Sequence, residues 1–147
     1  MCLICYDLNM NKTDFIVAVK NLSLDQEDYI VIGSGILCAL EIREADDIDI
    51  VVSKKVFDRF EDDPDWKRKS TIDGTFILEN SVYELGLDRR FQNAEPTLEG
   101  LKKDQIIVDD VPFINLDQVV GSKLKRGLDK DLVDIGLVKQ YLNKKVV

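Results

Sequence analysis

The chain has no histidine among its 147 residues. That absence removes Ser-His-Asp and Cys-His nucleophilic sites, and histidine-ligated zinc with them. Cysteine is scarce: three residues, unevenly placed, are too few for a disulfide framework. Cys2 and Cys5 form a solitary C-x-x-C with no second pair to complete a metal or redox site, and Cys38 lies in an apolar stretch that reads as core. No apolar run approaches the roughly 20 residues of a membrane span. Met1–Tyr6 is apolar but short, lacks basic flanks and runs into Asp7, which is not the pattern of a signal peptide. A soluble cytoplasmic protein with no membrane partner is the expectation.

Basic charge is also in deficit, with 20 Lys and Arg against 28 Asp and Glu and a net charge of -8. Such a surface repels a polyphosphate backbone, so duplex DNA is not an expected partner. A small phosphorylated substrate carried with magnesium remains compatible. Any chemistry must come from carboxylates, lysines, arginines, hydroxyls or thiols.

What is present is a normal globular balance, 45% hydrophobic and 33% charged, enough for one core. The length fits a single domain over residues 1–147, with residues 1–11 expected as a loose extension because the chain could equally begin at Met10. Thr13 is the expected cap of a helix carrying Phe15, Ile16, Val19 and Leu22 at helical spacing. Tyr29–Ile32 is a short apolar run ended by Gly33 and reads as a buried strand, followed by a helix over Ile36–Ile42. Asp47–Val52 is a second strand, and Ser53 caps a helix with Val56, Phe57 and Phe60.

Glu61–Lys69 is charged and reads as a surface loop anchored by Trp66, with strands expected at Thr75–Leu78 and Val82–Leu87 around a turn at Glu79–Ser81. Pro96–Lys102 reads as a helical turn or two. Gln105–Val108 and Val111–Ile114 form a hairpin about Asp109-Asp110, and two helices broken at Gly127 close the chain. The second carries Leu128, Leu132, Ile135, Val138 and Leu142 on one stripe. The expected fold class is α+β, a mixed central sheet flanked by helices with a C-terminal helical pair.

The chemistry centres on Val31-Ile32-Gly33-Ser34-Gly35 and, twelve residues on, Asp47-Ile48-Asp49-Ile50. Residues two apart on a strand share a face, so Asp47 and Asp49 project together while Ile48 and Ile50 enter the core. Two carboxylates roughly 7 Å apart at their Cα atoms can converge on a hard cation. The glycines let backbone approach a phosphate, and Ser34 adds a hydroxyl. A phosphate cradle beside a metal pair is the equipment of nucleotidyl or phosphoryl transfer.

This pattern, Ile32-Gly33-Ser34, a short helix, then Arg43-Glu44-Ala45-Asp46-Asp47-Ile48-Asp49-Ile50, resembles the nucleotidyltransferase superfamily related in fold to DNA polymerase beta. It is most similar to small bacterial members, including aminoglycoside-type transferases and nucleotidyltransferase components of toxin–antitoxin and abortive-infection systems. The likeness extends to Lys123 and to Lys130-Asp131-Leu132-Val133-Asp134, spanning about Tyr29 to Leu142. By resemblance, Ser34 with the backbone of Gly33–Gly35 would hold a nucleoside triphosphate (ATP as the first choice), and Asp47 and Asp49 would bind magnesium.

The resemblance also implies a third carboxylate on a neighbouring strand, for which Glu84 is the choice and Asp88 the alternative. Arg43, Lys123 and Lys130 are candidates for phosphate contact or for neutralising the acidic cluster, although Lys130 with Asp134 also reads as an i, i+4 helix pair. The implied activity is metal-dependent transfer of a nucleoside monophosphate to an unidentified acceptor hydroxyl on a protein, RNA or small molecule. The other reading is a catalytically inactive nucleotide-binding or partner-binding module of a toxin–antitoxin type. With no second domain, a homodimer or partner chain would complete the acceptor pocket.

Overall fold

A computed structural model describes residues 9–146; Cys2, Cys5 and the rest of residues 1–8 lie outside the described residues. The protein is α+β, a mixed seven-stranded sheet with helices on both sides. In chain order the elements are α1 (Lys12–Lys20), β1 (Tyr29–Ile32), α2 (Gly35–Ala39), β2 (Ile48–Val52), α3 (Lys54–Glu61), β3 (Lys67–Ser70), β4 (Phe76–Asn80) and β5 (Tyr83–Leu87). Then come α4 (Leu98–Leu101), β6 (Ile106–Val108), β7 (Val111–Phe113), α5 (Leu116–Arg126) and α6 (Asp129–Val146). The strand order is β3-β4-β5-β2-β1-β7-β6. Among the described residues no helix is long and apolar enough to cross a membrane.

The local signals that work are those whose partners lie close in sequence. Asp109 and Asp110 both adopt positive φ (49 and 68), which a two-residue hairpin loop needs to match strand twist. Ser53 caps α3 by accepting from Val56 N, and Asn115 caps α5 by accepting from Gln118 N. Two expectations shift. The cap of α1 is Asn11, which accepts from Asp14 N at 2.9 Å, so Thr13 lies inside the helix. Met10 pairs with Ala45 through both of its backbone groups, so residues 10 and 11 belong to the fold and are not a loose extension.

The expected loop at Glu61–Lys69 ends in strand: Lys67–Ser70 forms the edge strand β3, antiparallel to β4. All four of its residues are exposed, so it carries no hydrophobic alternation to betray it. The preceding Trp66 is buried, edge-on to Phe60 at 4.9 Å and tilted against Tyr83 at 5.8 Å. The stripe on α6 divides as well. Ile135 and Val138 are buried, whereas Leu128, Leu132 and Leu142 are about half exposed. Asp131 and Asp134 occupy the remaining inward positions of that helix.

The core lies on both faces of the sheet. Phe15 of α1 meets Phe113 of β7 at 6.1 Å between ring centres, and Leu98 and Leu101 of α4 are buried with the core cluster. Ile48, Ile50 and Val52 are buried, which leaves Asp49 and Val51 to the other face. Register then sets the site. Asp49 lies opposite Ile32 on antiparallel β1 and opposite Glu84 on parallel β5.

Candidate active site

The turn after β1 is made by Gly33, whose φ of +67 sends the backbone into a conformation that side chains disfavour. A Cβ there would lie 2.9 Å from Asp49 Oδ2, so the glycine also makes room for that carboxylate. Gly35 serves a different purpose. A Cβ on it would meet Val31 Cγ1 at 2.5 Å and Phe15 Cζ at 2.8 Å, so it lets α2 seat on the core and does not line the cavity. Of the two glycines expected at a phosphate, only Gly33 lines the cavity. The helix following the turn is only five residues long, too short to act as an anion-binding terminus, and it stops at Ala39 instead of Ile42.

A cavity of about 920 Å³ opens over this turn. Gly33, Ser34, Arg43, Asp47, Asp49, Lys123 and Lys130 all line it, together with Asp46, Lys125 and Arg126. Its apolar wall includes Leu101, Ile114 and Val119. Seven residues chosen from four separate stretches of sequence therefore meet in one space. Glu84 is not among the lining residues but stands beside Asp49 on the next strand and shares a hydrogen bond with it. Asp88 is committed elsewhere: buried, its Oδ1 accepts from Arg90 N and Leu98 N, both at 3.0 Å, capping a turn and the start of α4.

The carboxylates repel and crowd one another. Burial first, then the Glu84 hydrogen bond and the Asp47 charge, push Asp49 up to about 8. Desolvation and the charges of Asp46 and Glu84 raise Asp47 above the ordinary carboxylate range. Asp49 Oδ1 is buried and has no hydrogen-bond partner among the described residues. A buried carboxylate oxygen with no donor, flanked by two further carboxylates, fits a hard divalent cation. Asp47, Asp49 and Glu84 would hold it. Their ligand atoms are not all within 4.8 Å of one another; the group of three that is so close among the described residues is Asp25, Glu27 and Asp28. That group is largely exposed, lies outside the cavity, and leans on Lys55 at 3.1 Å from Asp28.

The cavity lining also carries ion pairs that the sequence did not disclose. Lys123 Nζ donates to Ser34 Oγ at 2.9 Å and to Asp134 Oδ2 at 2.8 Å. Arg43 grips the same Asp134 with two bonds, Nε to Oδ1 at 2.7 Å and Nη2 to Oδ2 at 2.9 Å. Arg126 grips Asp131 in the same forked way, at 2.5 and 2.8 Å. Burial alone would raise Asp134, but the bonds from Arg43 and Lys123 outweigh it and hold the carboxyl below its ordinary value.

Lys130 therefore does not pair with Asp134, contrary to the helix spacing. Lys130 and Lys125 are exposed, line the cavity and make no ion pair within 4 Å among the described residues. Glu79, expected in a turn, sits in β4 directly opposite Glu84 and pairs with Lys69 at 3.7 Å.

Comparison of the sequence with protein-family models and with curated proteins, and of the structure with solved structures, finds no match.

Proposed function

We propose that this protein is a metal-dependent nucleotidyltransferase that moves a nucleoside monophosphate from a nucleoside triphosphate to an acceptor hydroxyl. The observation that carries the reading is the buried Asp49 Oδ1, unpartnered among the described residues and set between Asp47 and Glu84, at a cavity that Lys125 and Lys130 also line. A carboxylate cluster alone would accommodate many cations, but two lysines lining the same cavity, with no ion pair among the described residues, ask for an anionic ligand as well. The cavity is large enough for a nucleotide-sized molecule and has apolar residues at Leu101, Ile114 and Val119 against which a base can rest.

Magnesium bound there would supply charge stabilisation for the attacking and departing oxygens. The chain's own groups do the rest. Lys125 and Lys130 attract the triphosphate, and Ser34 with the Gly33 turn fixes its position. As the acceptor oxygen bonds to the α-phosphorus and pyrophosphate leaves, the acceptor proton passes to the Asp49–Glu84 carboxylate pair, of which Asp49 lines the cavity. With Asp49 raised so far above the ordinary range, metal and proton compete for the same oxygens, so binding strengthens as the pH rises.

The test is incubation with ATP, GTP, CTP or UTP labelled at the α-phosphate, magnesium and a cell lysate, with Asp49→Asn as control. Magnesium-dependent label on an acceptor, absent from the Asp49→Asn reaction, supports the reading. Nucleotide binding with no label transferred to any acceptor favours a binding module. No nucleotide binding by the wild-type protein overturns it.

A further inference from the structure

We infer that Asp134 is a positioning residue of the nucleotide site, orienting Lys123 and Arg43 without touching the ligand itself. The inference rests on the nucleotidyltransferase reading above and goes beyond it. One carboxylate on α6 joins three other parts of the chain: Lys123 on α5, Arg43 in the segment leading to Asp47, and Ser34 in the turn after β1. Every cationic contact is short, between 2.7 and 2.9 Å, and Asp134 and Lys123 are both buried.

The composition of α6 makes the point energetically. Its inward face is Asp131, Asp134, Ile135 and Val138, two carboxylates in four positions. Buried ion pairs are a poor way to cement a helix, since well-packed apolar residues of similar volume hold as well or better. What leucine at 134 could not do is orient cations at a cavity wall. Asp134 keeps the Lys123 ammonium on Ser34 Oγ, so the lysine and hydroxyl present one fixed donor pair to an incoming phosphate. It also clamps Arg43 in a fork, which ties the connection ahead of Asp47 to the same frame.

Asp131 is the built-in comparator. It is as deeply buried on the same helix, but its forked partner is Arg126, and its contact with Lys123 is long, at 3.7 Å. Loss of Asp131 removes a comparable ion pair without releasing the Lys123–Ser34 contact.

The experiment measures magnesium-free ATP binding by calorimetry and the side-chain ammonium signals of protein labelled with 15N-lysine. In the wild type, Lys123 gives a slowly exchanging ammonium signal because its protons are held by Ser34 and Asp134, and the signal shifts as ATP is added. Asp134→Asn loses the protected signal and binds ATP about ten-fold more weakly, the scale on which groups that orient a ligand-binding side chain act. Asp131→Asn keeps the signal and the affinity while losing stability. A merely structural Asp134 would instead lower stability in both variants and leave ATP affinity unchanged in both. If Asp134→Asn does not fold, the wild-type titration decides: ATP that saturates the protein without moving the Lys123 signal overturns the inference. Absence of ATP binding by the wild type is a separate result, which brings down the nucleotide reading and this inference with it.

Discussion

Replacing Gly33 by alanine separates the two things a glycine can do at this turn. At φ +67 an alanine is in a left-handed conformation, which costs about 1 kcal/mol or somewhat more. Its Cβ would stand 2.9 Å from Asp49 Oδ2, closer than real Cβ atoms come, so the carboxylate must move. Gly35→Ala is the matched control. It adds the same methyl group two residues away, but against Val31 and Phe15 in the core, where overpacking costs roughly 1–3 kcal/mol.

Both variants therefore lose stability on a similar scale, each kilocalorie lowering Tm by about 2–4 °C for a chain of this size. Only Gly33→Ala displaces a metal-binding oxygen. Magnesium titration followed by calorimetry, with urea unfolding of the same samples, should show metal affinity weakened about ten-fold in Gly33→Ala and unchanged in Gly35→Ala. Equal losses of affinity in the two, or a Gly33→Ala protein that binds magnesium normally, would refute the assignment of Gly33 to the carboxylate.

Other outcomes follow from the same contacts. Asp49 is raised in the folded protein from 3.8 to about 8, so the folded state holds an extra proton across that window and stability falls as pH rises through it. Thermal unfolding without metal should show this decline between pH 5 and 8, and saturating magnesium should flatten it; a flat metal-free profile contradicts the buried pair. Asn11→Ala should cost about 1 kcal/mol by denaturant unfolding as the true cap of α1, against near-neutrality for Thr13→Ala. Lys130→Ala should weaken ATP binding in a salt-sensitive manner with little change in Tm, because the lysine is exposed and makes no ion pair among the described residues. Retained affinity in that variant would remove Lys130 from the phosphate wall.

The parts of the fold legible in the sequence are those governed by neighbours along the chain. The apolar run at Tyr29–Ile32, the Ser53 cap and the Asp109-Asp110 loop each depend on a handful of adjacent residues, and each is found where local chemistry puts it. Of the pair Asp47 and Asp49, strand alternation accounts for Asp49, since Ile48 and Ile50 turn inward, whereas Asp47 lies one residue ahead of β2 and reaches the same cavity from the connection before it. Strand β3 was hidden because neither of its faces is buried, and pairing with β4 holds it in place of burial. The commitments of Asp134 and Lys123 were hidden because their partners are remote: Arg43 lies 91 residues from Asp134, and Ser34 lies 89 from Lys123. Helix spacing nominated Lys130 for Asp134, but two better-placed cations already occupied it. The two glycines looked equivalent for a related reason, as only the packing of Phe15 across α2 tells them apart.

The parallel ladder between β2 and β5 has a consequence for how freely this chain can change. Asp49 and Glu84 are held at neighbouring positions by backbone hydrogen bonds, while everything between the two strands (α3, β3 and β4) makes a lateral excursion to the sheet edge and returns. The spacing of the two carboxylates thus does not depend on the length of that excursion or on the side chains it displays. Its outer tip, at Ile72-Asp73-Gly74, is exposed. Insertions, a grafted binding loop or new chain ends could be placed at Gly74, three strand spacings (roughly 15 Å) from β2, without resetting the acidic centre so long as Asp73 keeps its bond to Arg89 at the cavity lining. Such a layout lets the region that meets a second molecule diverge quickly while the reactive geometry stays fixed.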